Sequence, residues 1–164
     1  CIYLGNLDAK RDWGHAKDYV EMQWLMLQQD KPNDYVIATG RTESIRRFIE
    51  LCALKIGWNK DPNGPGIIWE GSGLKEIGKR ADNDQIVIRI DPRYFRPTEV
   101  DYLLGDASKA KKELGWQPKI TLEELISEMI LFDKNEAKKD LILQKEGFSS
   151  NSSLESIPQI MNNQ

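Results

Sequence analysis

Lys10-Arg11-Asp12-Trp13-Gly14-His15-Ala16-Lys17-Asp18 brings a cation, a carboxylate, a large aromatic and the chain's only histidine into one short run. Upstream, Tyr3-Leu4-Gly5-Asn6 reads as the end of a strand turning out of a sheet. Downstream, Asp18-Tyr19-Val20-Glu21 fits a capping box, with Asp18 as N-cap and Glu21 reaching back to its amide. Arg11 therefore falls on a connection between strand and helix, and its planar fork of N–H donors suits a phosphate or carboxylate. On local chemistry alone the balance tips the other way, since an Arg-Asp pair on a turn is a solvated ion pair worth little.

The whole chain sets the frame for that run. Its 164 residues suffice for one domain with a core, and 40% hydrophobic with 30% charged residues is ordinary globular composition. A net charge of -3 argues against nucleic acid or a membrane surface as the main partner. Two cysteines, Cys1 and Cys52, support neither a disulfide framework nor a thiolate zinc site, and a single histidine makes no metal cluster. No apolar run reaches membrane-spanning length and no secretory signal is present. A reducing cytoplasm is the expected compartment. The chain opens without Met, directly in the strand-like Cys1-Ile2-Tyr3-Leu4, and reads as the C-terminal part of a longer protein.

Along the chain, residues 18–28 have the spacing of a helix with Val20, Trp24 and Leu27 inward and Met22, Leu25 and Met26 widening the stripe. Pro32 closes the turn after it. Tyr35-Val36-Ile37-Ala38-Thr39-Gly40 reads as a buried strand. Ser44 is the expected N-cap of a helix carrying Ile45, Phe48, Ile49, Cys52, Ala53 and Ile56 to Gly57 at C′. Residues 35–57 thus form a βα unit that asks for a parallel neighbour. Arg46 and Arg47 lie in that helix's first turn, where a cation opposes the dipole and gains from a bound anion. For Arg46, solvent-facing charge and a phosphate or substrate contact weigh equally.

Two further strands are read at 67–71 and 86–90. Between them, Gly73 to Gly78-Lys79 has the spacing of a phosphate-binding P-loop. Arg80 then stands where a hydroxyl is needed and a loop follows where a helix should begin, so the match is chance in a hairpin-like connection. Asp91-Pro92-Arg93-Tyr94-Phe95-Arg96-Pro97-Thr98-Glu99-Val100 is stiffened by two prolines. A rigid loop presenting Arg96 and Glu99 suits a polar ligand with few rotamers to freeze; taken alone, Arg96 and Glu99 make an intramolecular ion pair. A short helix from Asp106 stops at Leu114-Gly115. Thr121-Leu122-Glu123-Glu124 is a second capping box, opening a helix with Leu122, Leu125, Ile126, Met129 and Ile130 inward. The expected division is a folded part, 1–145, and a disordered tail, 146–164.

Several of these stretches together resemble one family. Leu4-Gly5-Asn6-Leu7-Asp8-Ala9-Lys10-Arg11-Asp12-Trp13-Gly14-His15-Ala16 closely resembles the GDP-mannose 4,6-dehydratases of the extended short-chain dehydrogenase/reductase superfamily. Ser44-Ile45-Arg46, Arg96-Pro97-Thr98-Glu99 and Leu114-Gly115-Trp116-Gln117-Pro118 are similar to later elements of the same superfamily. The resemblance implies an α/β fold: the C-terminal portion of an extended short-chain dehydrogenase/reductase of NAD(P)-binding Rossmann type, with short strands and about four helices. It implies substrate-binding residues Arg11, Arg46, Arg96 and Glu99, the arginine of Arg-Pro-Thr-Glu meeting the nucleotide diphosphate and the glutamate a ribose hydroxyl. Family members are NADP-dependent lyases that oxidise C4 of GDP-mannose, eliminate water across C5 and C6, and return the hydride to C6. The product leads to GDP-fucose and related deoxysugars.

That chemistry needs a Gly-rich dinucleotide turn, a tyrosine with a lysine four residues on, and a Thr/Glu pair. No Gly-x-Gly-x-x-Gly occurs here, and no tyrosine has a lysine at that spacing. The chain is accordingly expected to be the substrate-binding half, with no catalytic residue, no metal and no cofactor of its own, NADP belonging to the full-length enzyme. Its expected partners are GDP-mannose, an N-terminal cofactor-binding half and, when complete, further copies of itself. Two other readings remain: a non-catalytic nucleotide-sugar-binding or subunit-pairing module, and another GDP-sugar epimerase or reductase.

Overall fold

A computed structural model of the chain describes residues 1–96, 100 and 102–148. The chain divides into two compact units, Cys1–Ile130 and Leu131–Gln164. In the first, the main sheet has the order β1-β6-β5-β4, from β1 (Ile2–Leu4), β4 (Ile67–Glu70), β5 (Ile77–Arg80) and β6 (Ile86–Ile90). β1 runs parallel to β6, while β6, β5 and β4 are antiparallel. The meander is set by local pairing: Trp69 lies opposite Gly78, where a Cβ would stand 2.8 Å from its ring. A bulge follows at Gly78/Lys79, and Ile67, Ile88 and Ile90 fill the buried side. The P-loop-like stretch is a 3₁₀ turn, Gly73–Lys75, running into β5, with Lys79 bonded to Glu70 at 2.6 Å.

A second, two-stranded ladder pairs β2 (Lys10–Asp12) antiparallel with β3 (Thr42–Ser44). β3 leads straight into α2 (Ile45–Ile56), capped by Ser44 Oγ accepting from the Arg47 amide at 3.0 Å and ended by Gly57 at φ 90°. The expected strand at Tyr35–Gly40, and with it the parallel βα unit 35–57, is corrected here. That segment forms no ladder among the described residues, and the strand feeding α2 is antiparallel β3. Ala38 is buried and Tyr35 and Ile37 partly so, while Val36 is half exposed. Tyr35 and Ile37 pack on the core of Met22, Ala110 and Trp116, and the amides of Thr39 and Gly40 find their acceptor in the Asp12 carboxylate.

α1 spans Ala16–Leu27, and here two expectations fail. The N-cap is His15, whose Nδ1 accepts from the Lys17 amide at 3.0 Å. Asp18 lies inside the helix, buried, with its carboxylate accepting from the amides of Lys119 and Ile120, both at 3.0 Å. Glu21 pairs with Lys119 Nζ at 2.7 Å instead of closing a box. The buried face is also different: Met22 is wholly buried, with Leu25 and Met26 beside it, while Val20, Trp24 and Leu27 are 59–81% exposed. Both sets satisfy helical spacing, and what selects between them is Trp116, whose indole donates to the Asp18 carbonyl at 2.9 Å.

That tryptophan follows α3 (Ser108–Leu114), stopped by Gly115 at φ 66°. α4 (Leu122–Lys145) opens on the expected capping box, Thr121 Oγ1 accepting from the Glu124 amide and Glu124 accepting from the Thr121 amide. Leu122 and Ile126 are its buried residues in the first unit, whereas Met129, expected inward, is 47% exposed. In the second unit, the described residues are the rest of α4 and a turn through Gly147 (φ 80°) to Phe148, with Leu131, Phe132, Leu141 and Ile142 exposed. The expected disordered tail falls on residues 149–164, outside the described ones, except for this turn.

Candidate functional site

The site grows from the end of β1. Leu4 accepts from the Asp91 amide at 2.8 Å, joining the exit of β1 to the exit of β6. Gly5 then passes so close to the next loop that a Cβ would stand 2.1 Å from the Tyr94 carbonyl oxygen, a contact only glycine permits. The loop is held from inside by Asp91, buried, which accepts from the Arg93 amide at 2.9 Å and from its guanidinium at 2.8–3.2 Å. Arg93 hydrogen bonds hold the Asp91 carboxyl below its ordinary pKa. The tyrosine and phenylalanine amides at 94 and 95 return to the Asp91 carbonyl. Arg96 leaves this braced turn exposed.

Arg11 approaches the same loop from β2. Its Nη1 donates to the Lys10 carbonyl at 2.7 Å and to the Val100 carbonyl at 3.2 Å, across 89 positions of sequence. Lys10 Nζ stands 5.9 Å from the centre of the Tyr102 ring. The structure thus brings Arg11 to Val100, four positions after Arg96 in sequence. Glu99, the fourth expected site residue, lies outside the described residues.

Arg46 is placed elsewhere. Its guanidinium forks onto Glu76 (Nη1 2.5 Å, Nη2 3.1 Å), its Nε donates to Asp8 at 2.9 Å, and the group lies 4.9 Å from the centre of the Trp69 ring. Glu76 and Asp8 raise its pKa against the opposing effect of burial. The arginine fastens the start of α2 to the turns around residues 8 and 76. Sequence spacing carried no sign of this, because Glu76 stands 30 positions away.

Residues beside Arg11 supply what the sequence left unassigned. The Asp12 carboxylate accepts from Thr39 N and Gly40 N, each at 3.0 Å, and from Thr39 Oγ1 at 2.6 Å. Trp13 stacks on Phe48 with ring centres 4.5 Å apart, and its buried Nε1 meets no hydrogen-bond partner among the described residues. Together with Thr39, Arg41 and the 118–122 turn it lines a cavity of about 180 Å³. Tyr19 presses on Gly14, and burial with the nearby Asp12 and Asp18 carboxylates pushes its hydroxyl above the ordinary value. His15 Nε2 stands 3.3 Å from Glu128, which Lys17 also pairs.

Among the described residues no three His, Cys, Asp or Glu side chains converge on a metal position, and no helix is long and apolar enough to cross a membrane. Cys52 is a half-buried thiol pushed up to about 11 by burial, far from a reactive thiolate. β3 enters α2 through the Ser44 hydroxyl cap, without the glycine turn that admits a pyrophosphate in a dinucleotide-binding strand-helix junction.

Known proteins share this architecture and sequence. The structure resembles that of RMD from Pseudomonas aeruginosa complexed with NADPH (TM-score 0.55, 20% identity, 80% of this chain and 35% of that one). It also resembles UDP-glucose 4-epimerase with UDP-glucose from Thermotoga maritima (TM-score 0.59, 20% identity, 83% and 35%). At these identities the likeness speaks for the fold alone, an α/β arrangement. In sequence, the chain is 49% identical over 158 residues to a GDP-mannose 4,6-dehydratase of Vibrio cholerae, covering 94% of this chain and 42% of the relative. It is 50% identical over 133 residues to GDP-mannose 4,6 dehydratase of Homo sapiens, covering 81% and 34%. The chain therefore spans roughly two fifths or less of the length of the curated relatives it matches. The family model described as GDP-mannose 4,6 dehydratase matches residues 1–129, across both β2 with its arginine and the loop that Arg11 reaches, and the chain belongs to that family.

Proposed function

We propose that this chain is the substrate-recognising part of a GDP-mannose 4,6-dehydratase, the enzyme that converts GDP-mannose to GDP-4-dehydro-6-deoxy-mannose. The observation that supports the reading is the Arg11 hydrogen bond to the carbonyl of Val100, the residue that follows Arg96-Pro97-Thr98-Glu99 in sequence. On this reading Arg11 and Arg96 hold the diphosphate, and Glu99 accepts from a ribose hydroxyl. The chemistry is apt: two planar cations offer paired donors to phosphate oxygens, and a carboxylate accepts from a diol. Arg46, committed to Glu76 and Asp8, serves the fold. NADP and the hydride and elimination steps belong to residues of the complete enzyme, so this chain contributes binding and orientation of the nucleotide sugar.

Calorimetric titration of the chain with GDP-mannose, GDP and UDP-glucose tests it. Binding of both GDP ligands, weakened at least about tenfold in an Arg11→Ala/Arg96→Ala double variant, is the expected result. A folded double variant that binds GDP-mannose as well as the parent rejects the assignment.

A further inference from the structure

We propose that Asp12 is the positioning residue for Arg11, an inference that rests on the diphosphate role given to Arg11 above. The β2–β3 ladder is only three residues long, too short to hold its own geometry. Successive side chains of a strand leave opposite faces. Asp12 therefore anchors β2 from one side while Arg11 is presented from the other. The anchor is multiple: both carboxylate oxygens are engaged by the Thr39 and Gly40 amides, and the Thr39 hydroxyl gives the shortest bond of the set, 2.6 Å. Gly40 reaches this geometry at φ 76°, so the acceptor is met by a backbone shaped to deliver its N–H groups. With Asp12 removed, two amides and a hydroxyl lose a charged acceptor. β2 is then free to shift against the 35–40 segment, and the Arg11 guanidinium moves relative to the Val100 carbonyl. Asp12 touches no ligand in this account and acts only through its neighbour.

The test is a double-mutant cycle on the full chain: parent, Arg11→Ala, Asp12→Ala and the pair, each titrated with GDP-mannose. The Arg11 Nε–Hε signal is followed by NMR without ligand. Thr39→Val, which removes only the hydroxyl, serves as the milder variant if Asp12→Ala fails to fold. Asp12→Ala is expected to weaken binding by about tenfold, and the pair to bind no more weakly than Arg11→Ala alone. The Arg11 Nε–Hε order parameter is expected to fall in Asp12→Ala and, less, in Thr39→Val. Full additivity of the two losses, or an Arg11 signal unchanged by both variants, overturns the proposal. If the parent binds no GDP-mannose, the substrate reading fails by itself, and the ligand-free Arg11 signal still decides whether Asp12 positions it.

Discussion

At the scale of single residues, the loop that carries Arg96 depends on one carboxylate. Asp91 is held below its ordinary pKa by Arg93 and by the Arg93 backbone amide, and it sits buried at the end of β6. A native pKa below the unfolded one stabilises the fold at pH values above the unfolded carboxylate's, about 3.9, and that contribution disappears as pH falls through the lower native value. Melting midpoints followed from pH 7 down through that window are expected to drop less steeply in Asp91→Asn than in the parent. An identical acid limb would show that Asp91 does not couple to folding. Arg11 and Arg96 stand out in the sequence because a motif of the resembled family surrounds each. Asp12 was legible only as an acid beside a base, since its donors lie 27 and 28 positions away on a segment that looks like a strand.

At the scale of elements, most local cap signals were read well, the Asp18–Glu21 box excepted, and faces were read poorly. Ser44, Gly57, Gly115 and the Thr121/Glu124 box all cap helices as their sequence announces, because a cap is satisfied within a few residues. The inward face of α1 was not legible, since Val20-Trp24-Leu27 and Met22-Leu25-Met26 both fit the period. Only the distant Trp116 decides between them. Mutations make this choice measurable. Met22→Ala opens a void in the fully buried cluster and is expected to cost about 3 kcal/mol in chemical denaturation. Trp24→Gln, at a position 59% exposed, is expected to stay within about 0.5 kcal/mol. Reversal of that order would restore the face that spacing alone favoured. Residues 35–40 teach a related lesson. An apolar run closed by glycine announces burial, yet burial came through the Met22–Trp116 core and the Asp12 carboxylate rather than through a ladder.

At the scale of the whole molecule, family membership is shown and the absence of activity is a prediction. The chain spans 42% of its Vibrio cholerae relative, and its sequence holds neither a Gly-x-Gly-x-x-Gly turn nor a Tyr-x-x-x-Lys pair. Incubated pure with GDP-mannose and NADP, it is expected to form no 4-dehydro sugar, and product detected by mass spectrometry would refute the division of labour proposed here. Exposed Val20, Trp24 and Leu27 add an apolar strip to its surface, a liability for solubility at high concentration. One closing contact has a further consequence in time. The Trp116 indole reaches the Asp18 carbonyl across 98 positions, and Met22 is sealed only when Ala110 and Trp116 arrive. At a synthesis rate of roughly 5–20 residues per second, α1 leaves the ribosome several seconds before its cover does. During that interval its future core lies open, so the newborn chain passes through a window in which its own packing does not yet shield it.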